Sequence, residues 1–489
     1  MRANTISVTL CLGAALFLAV VSRSEHKQLV RHAISAVPRS TSPPLSYLAR
    51  TDQNENLQFL GRHGDSLPNV GGLVGAGAKV IDPDFGSTIY RVTDYRTTCS
   101  GKRIYFPVFG AERGWAADSS AFLVDAMYGV SCVMYWDGTT EKATLAPYTL
   151  SPTSVYIFSH SNPNVLWERA GTTINQIVLN RSTGTLSRTK LFDFVNDSQH
   201  CLPSGFKARS AGLFMPSQDD TSFSLLYSQG QQDTGHDIVN YTVGQGCRHY
   251  DTETGVIDGD WGEIGQVSTT ARFLVHEAVN TPNPVVAAVG PTDCLGTQPC
   301  DRSSPFLWNV PTTNVVECTD GCAGHGAYGF FSRYASATFI QHYYSNPAQP
   351  LVEMNPPGLP PSVDQHPSWN NNDGTDGPPF LVAAQHASSG SSPMKVPFSA
   401  AHYNEIIGVT TDGSHTVYRF AHTFATGWAS QYETAYAMLN VSPDGRWAAW
   451  TSDWMRTLGC SNGARTHCSG RPNRLIRSDI FIVDLQSAH

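Results

Sequence analysis

The chain has 489 residues, a formal net charge of -8 and only 15% charged residues, which offers no electrostatic ground for binding nucleic acid or an anionic membrane surface. Its 42 glycines, 30 prolines and 10% aromatic content favour short strands and many turns over long helices. The length exceeds the usual single domain, yet closed all-β architectures reach it as one unit.

The first element in chain order is an export signal. Arg2 precedes the apolar run "ISVTLCLGAALFLAVVS" at 6–22, too short for a comfortable membrane span and followed by polar sequence. Residues 1–23 therefore read as a signal peptide, with an uncleaved signal-anchor as the alternative, and the protein reads as secreted or periplasmic. Residues 24–80 include "RSTSPPLS" and carry no sustained periodicity; they read as a polar tether ahead of a folded part at 81–489.

Beyond the tether the chain repeats loosely. A strand at "STIYRVTD" (87–94) precedes a first complete unit, "GWAADSSAFLVDA" (114–126). Further units fall near 146–180, at "AGLFMPSQDDTSFSLLYS" (211–228), at "FLVHEAVNTPNPVVAAVG" (273–290), and near 325–350 and 366–418. The clearest is "AYAMLNVSPDGRWAAWTSDW" (435–454), two alternating strands joined by Ser-Pro-Asp-Gly, in which Asp444 and Gly445 supply the reversal. Each unit is an alternating strand, a polar turn and a second apolar strand. Such sheets bury both faces only against their neighbours, so the expected fold class is all-β, a seven-bladed β-propeller. Pairing of the early strand 87–94 with the last strand, "DIFIVDL" (479–485), would place N- and C-terminal strands in one closing blade and remove an open edge. A two-domain β-sandwich is the rival, but no linker-like break after residue 95 divides the chain.

Apart from Cys11 in the signal segment there are ten cysteines, which in an exported chain implies up to five disulfides. Cys294 with Cys300, Cys318 with Cys322 and Cys460 with Cys468 are the favoured short loops. "CTDGC" (318–322) has a metal-binding alternative, but no second closely spaced pair follows it. The sequons at Asn180, Asn196, Asn240 and Asn440 matter only in a host that glycosylates.

"DPDFGSTIYRVTD" (82–94), "SPDGRWAAWTSDW" (442–454) and "SDIFIVDL" (478–485) resemble the bacterial exported WD40-like or TolB-like propellers. The likeness spans roughly 80–487 and speaks to fold more than to activity. More distantly, the histidine-bearing units are similar to the seven-bladed oligogalacturonate lyases, whose metal is held by three histidines and a glutamine around the central funnel. That second resemblance implies a uronic-acid oligosaccharide as substrate, cleaved by β-elimination.

His276, His325, His366 and His422 are separated by 49, 41 and 56 residues, about one blade each. Residues near the start of each blade's first strand converge on the axis of a propeller, so these four imidazoles are candidate ligands for manganese or a similar divalent transition metal, with Gln365 or Glu277 adding an oxygen. Asp364 is a further ligand or an orienting group. The alternative is that each histidine packs within its own blade. Under the lyase reading, proton removal α to a carboxylate needs a cation to withdraw charge and a base. Arg113 ("ERGW") and Arg209 ("KARSAG") are candidate carboxylate clamps, and His276 or His422 the base; for the arginines the alternative is an ordinary ion pair. Trp369, Trp428 and Tyr343 are candidate sugar-stacking residues beside the histidines, whereas Trp447 and Trp450 alternate along a strand as core.

Other motifs fail on context. "GDSL" (64–67) lies in the tether with no strand-turn-helix around it, no G-x-S-x-G occurs, and "VHEAV" (275–279) lacks the second histidine of a metalloprotease helix. The acidic turns at 257–262 and 371–377 have a calcium reading, but such composition is commoner in plain hairpins. Two function classes remain: a metal-dependent polysaccharide lyase, or a noncatalytic propeller binding glycans or proteins of the cell envelope. In either case the partner is an oligosaccharide or an envelope protein, the chain is a monomer, and membrane contact is confined to the signal segment.

Overall fold

A computed structural model describes residues 47–53, 67–99, 101, 105–107, 113–126, 130–197, 207–208, 214–216, 220–228, 236–244, 246–251, 257–259, 274–277, 286–290, 306–309, 315–317, 326–327, 330–333, 338–341, 349–353, 363–371, 379–386, 402, 404–410, 414, 416–425, 437–464 and 476–488. Among these residues the protein is all-β. Among the described residues one short 3-10 turn, Trp454–Arg456, interrupts the strands, and no helix there is long and apolar enough to cross a membrane. The signal segment lies outside the described residues.

The described strands assemble into seven antiparallel sheets of four to six strands. Sheet I mixes the two ends of the chain: the hairpin Lys79–Ile81 and Thr88–Arg91 joins the late strands Leu439–Val441, Trp447–Ser452 and Asp479–Asp484. Thr88 pairs with Asp484 and Arg91 with Phe481, so the early and late segments do meet. Sheets II and III begin at Tyr105–Pro107 and Val155–Phe158, and sheet IV at Lys207–Ala208 and Phe214–Pro216. Sheets V, VI and VII begin at Leu274–Glu277, Gly326–Ala327 and Val363–Ser368.

In sheets II to VI, and in sheet VII apart from one early strand added at its far edge, strand order follows chain order, as hairpin connections require, so the strand that begins a sheet lies at its edge. Those first strands are the points of contact between sheets. Val155–Phe158 touches Phe214–Pro216, which touches Leu274–Glu277; that strand touches Gly326–Ala327, then Val363–Ser368, then Leu439–Val441 of sheet I. Sheet I in turn touches Tyr105–Pro107 of sheet II, and sheet II touches sheet III.

The apolar core lies between sheets rather than within one. Trp136 of sheet II meets Trp447 of sheet I edge to face, with ring centres 5.1 Å apart, and Tyr90 completes the cluster. Leu123 and Val133 of sheet II pack with Tyr156, Phe158 and Ile177 of sheet III. Trp167 of sheet III meets Phe223 of sheet IV at 4.8 Å. Burying one such side chain contributes about 1.5–3 kcal/mol, so faces that alternate in sequence stabilise only when two sheets meet.

The Ser-Pro-Asp-Gly turn forms as its chemistry dictates. Ser442 Oγ donates to Asp444 Oδ1, and the Gly445 N–H donates to the Ser442 carbonyl at 2.9 Å. Gly445 has φ +71°, and a Cβ there would lie 2.9 Å from the Tyr47 hydroxyl. Only glycine fits this position without strain.

That Tyr47 contact belongs to a stretch expected to be a tether. Parts of that stretch pack against the sheets, with Tyr47, Ala49 and Val70 buried. Arg50–Gln53 is a fifth strand on sheet VII, pairing Arg50 with Arg419 and Gln53 with Thr416, while Tyr47 and Val70 join the core between sheets I and VII. The physical reason is edge coverage: a polar strand satisfies the outer backbone groups of Thr416–His422 without any amphipathic pattern of its own. The rest of 24–66 lies outside the described residues.

Cys99 and Cys132 form a disulfide with Cα atoms 5.9 Å apart, joining the segment after the Thr88–Arg91 strand to sheet II. This pairing across sheets is not among the short loops expected from spacing. Cys460 is also disulfide-bonded; Cys294, Cys300, Cys318, Cys322 and Cys468 lie outside the described residues. Of the sequon asparagines, Asn180 and Asn196 are exposed, whereas Asn240 and Asn440 are buried.

Candidate functional site

Two of the four recurrent histidines lie in the first strands of sheets. His276 lies in Leu274–Glu277 of sheet V, opposite Ala288. Gln365 and His366 lie in Val363–Ser368 of sheet VII, opposite Ala384 and Ala383. His325 immediately precedes Gly326–Ala327 of sheet VI and is itself outside the described residues, as are Arg209, Tyr343 and Trp428. The first strands of sheets V, VI and VII are successive neighbours.

His422 departs from that pattern. It ends Thr416–His422, the fourth strand of sheet VII counted from the first, opposite Glu405. The 56-residue interval from His366 spans most of a sheet whose second and third strands are separated by a long connection, and the next first strand begins only at Leu439. Spacing alone therefore misplaces it.

What surrounds His422 is a compact polar group. The turn "DPDFG" between the two early strands of sheet I folds around Asp82: its Oδ1 accepts the N–H groups of Asp84 (3.0 Å) and Phe85 (3.1 Å), and its Oδ2 accepts the His422 N–H at 2.7 Å. The imidazole Nδ1 stands 3.2 Å from Asp82 Oδ2 and 3.6 Å from Asp84 Oδ2. Phe85 and Phe424 wall the ring at 4.8 and 5.6 Å. Burial opposes ionisation of Asp82, but the hydrogen bonds and charge of His422 outweigh it and hold the carboxyl below its ordinary value. Burial likewise opposes protonation of His422, and Asp82, Glu405 and Asp84 together raise it above the ordinary imidazole value. Asp82, Asp84 and His422 present ligand atoms within 4.8 Å of one another, a set that can bind a metal.

A second polar junction gathers residues from beyond the ends of several first strands. Arg113 is buried; its Nη1 donates to the Asn370 carbonyl at 3.1 Å and lies 3.3 Å from His160 Nδ1. Asn370 Nδ2 donates to Asn440 Oδ1, and Trp115 Nε1 donates to the Asn440 carbonyl, each at 3.0 Å. Asp220 closes the neighbouring corner, accepting from the His160 N–H, Trp167 Nε1 and the Ser159 and Ser161 hydroxyls. Burial pushes its carboxyl up despite those donors.

These contacts tie sheets I, II, III, IV and VII together, and they hold Arg113 on protein acceptors. Trp369 is fully buried, so its face is covered by protein rather than presented to a sugar. His160, Asp220, Asn370 and Asn440 escape sequence reasoning. The one signal for them is position, since each lies in or just after a strand that contacts another sheet, and that order of contacts is not written locally.

No protein-family profile and no curated protein matches the chain. Among solved structures it is similar to an oligogalacturonate lyase from Vibrio parahaemolyticus, with 11% identity, 83% of this chain and 96% of that chain covered, and a TM-score of 0.47. It is also similar to the WD40 domain of SCAP from fission yeast (10% identity, 82% and 91% covered, TM-score 0.32). A third is TolB from Acinetobacter baumannii (10% identity, 66% and 65% covered, TM-score 0.28). All three types are β-propellers, the class that the sequence motifs resemble.

Proposed function

We propose that the protein is an exported, monomeric, seven-bladed propeller with a metal-dependent polysaccharide-lyase centre on its axis, acting on uronic-acid oligosaccharides. The ring reading is supported by seven sheets touching in chain order and by the pairing of Thr88–Arg91 with the last strand. Export is supported by the apolar segment at 6–22 and by the Cys99–Cys132 disulfide. One observation carries the catalytic reading: the first strands of sheets V, VI and VII are successive neighbours, and His276, His325, Gln365 and His366 lie in them or directly before them.

In this reading His325, Gln365 and His366 hold a divalent metal such as manganese, an imidazole and amide-oxygen set suited to such an ion. When bound, the ion withdraws charge from the substrate carboxylate as the α-proton leaves. His276 takes that proton as general base. Arg113, at the junction of sheets II, III and VII, and Arg209 orient the carboxylate by paired N–H donors, and Trp428 and Tyr343 stack on sugar faces. His422, enclosed by Asp82, Asp84 and Phe85, is left out of this centre.

The second reading, a propeller that binds glycans or envelope proteins without catalysis, is favoured by the burial of Trp369 and by the commitment of Arg113 to Asn370. Metal analysis of the purified protein, with ultraviolet absorbance of unsaturated uronates during incubation with pectic and other uronate polymers, separates the two. Bound metal and rising absorbance, both lost in His366→Ala, are expected of the lyase. Neither signal would leave the binding module standing.

A further inference from the structure

We propose that Asp82, Asp84 and His422 form a second, structural metal site that binds one borderline divalent cation, zinc by preference, and clamps the early hairpin of sheet I to the end of the outermost chain-order strand of sheet VII. The site is independent of the axial centre proposed above. It shares no residue with it and lies on a fourth strand rather than a first one.

Distances are the first argument. A charge-assisted hydrogen bond from an imidazolium to a carboxylate settles at about 2.7–2.9 Å. Here Nδ1 stands 3.2 and 3.3 Å from the two Asp82 oxygens and 3.6 Å from Asp84 Oδ2, longer than that, so the hydrogen bond it shares between the Asp82 oxygens is a stretched one. Donors about 2.1 Å from a tetrahedral zinc lie roughly 3.4 Å from each other. The observed separations bracket that edge length.

Charge and chemistry point the same way. Two carboxylates face one imidazole in a site where Asp82 is wholly buried and the His422 side chain is 5% exposed. Arg419, the cation nearby on the same strand, is engaged by both oxygens of Glu405 and stacks over Phe85 at 5.4 Å, so that pair is internally neutral. A divalent ion with neutral His422 balances both carboxylates; a proton on the imidazole balances one. His422 Nε2 is buried with no hydrogen-bond partner among the described residues, so the ring's polar commitment there is to Asp82 and Asp84. Phe85 and Phe424 exclude water from its faces, the dry setting that strengthens metal–ligand electrostatics. Asp82 is itself fixed by three backbone N–H donors, so little ordering is left to binding.

The test uses the full exported chain carrying His366→Ala, which removes an axial ligand, after dialysis against chelator. Zinc is the probe, read by calorimetric stoichiometry and by the unfolding temperature. One equivalent that raises the unfolding temperature is expected in this background, and adding Asp84→Asn is expected to weaken that equivalent by more than about 100-fold, since losing even an outer-shell partner costs 10–100-fold. Asp84→Asn preserves side-chain volume in a turn, and circular dichroism checks its fold; His422→Gln is the second variant. The proposal is overturned if the His366→Ala protein binds no zinc, or if the zinc it binds is indifferent to Asp84→Asn and His422→Gln. Axial metal lost in His366→Ala with nothing left would sink this site and spare the lyase reading; one equivalent surviving His366→Ala with no axial metal in the parent would do the reverse.

Discussion

Asp479 is the point where the two ends of the chain are pinned, and its replacement by asparagine is the sharpest test of that joint. The carboxylate is fully buried. Its Oδ2 accepts Arg91 Nη2 at 2.6 Å and Arg477 Nε at 2.9 Å, while Oδ1 accepts Thr93 Oγ1 at 2.9 Å and a further Arg477 bond. Arg91 is fully buried as well, and its Nη1 donates to the carbonyls of Val70, Gly71 and Gly72. A single carboxylate thus faces two buried guanidinium groups and, through Arg91, also fixes the 70–72 segment. Asp479→Asn keeps the volume but leaves two cations without a counter-charge in a site that excludes water. Removing one member of a buried pair costs about 3–5 kcal/mol, a large part of the ~5–15 kcal/mol total of a folded protein. With an unfolding entropy near 2.1 cal/mol/K per residue over about 400 residues, a loss of ~4 kcal/mol lowers the unfolding temperature by about 5 °C. Scanning calorimetry and urea titration measure the loss, and limited proteolysis between residues 70 and 91 reports whether the early hairpin is released first. A loss below about 1 kcal/mol, with no gain in cleavage there, would refute the argument that this carboxylate holds the termini together.

Replacing Cys99 and Cys132 together by serine opens a loop of 33 residues and is expected to cost about 3–4 kcal/mol in urea unfolding; no change in midpoint would show that the hydrogen-bonded strands alone hold sheets I and II. Burial, partly offset by the Ser131 hydroxyl, raises the Asp125 carboxyl to about 6, so the folded protein holds this proton more tightly than the unfolded chain. Stability from this group is fully present below about pH 4 and declines as the pH rises through about 6, by at most about 3 kcal/mol. Asp125→Asn should therefore gain on the parent between pH 4.5 and 7.5, and an equal difference at both pH values would contradict this. Gly445→Ala forces a Cβ into a φ of +71° and against the Tyr47 hydroxyl, with an expected cost of about 1–2 kcal/mol by urea midpoint. Tyr47→Phe, which loses the bond to the Gly445 carbonyl, should cost about 1 kcal/mol, and a larger effect than that of Gly445→Ala would reverse the assigned order.

Strand and turn were legible because their causes are local. Alternation along "RWAAWTS" and the Ser-Pro-Asp-Gly reversal specify a hairpin wherever they occur, and the strand Trp447–Ser452 lies where that pattern puts it. The partnership of 87–94 with 479–485 was legible too, since pairing an early with a late apolar strand removes an open sheet edge. The candidate site was legible only in part. His276 and His366 fall on first strands, but His422 does not, because an unpatterned connection before Glu405 lengthens its sheet and carries the histidine outward.

By itself, then, the order of residues determined an all-β chain of hairpins, the segments near which most of the sheets begin, and the meeting of its two ends, all consequences of side-chain period and turn stereochemistry. Tertiary structure decided the rest: Asp82 against His422 across 340 positions, Arg113 against Asn370 across 257, Cys99 against Cys132, and a polar strand drawn onto the edge of sheet VII. Such contacts depend on which sheet packs beside which and on the length of every loop between them, and no window of neighbouring residues carries that information.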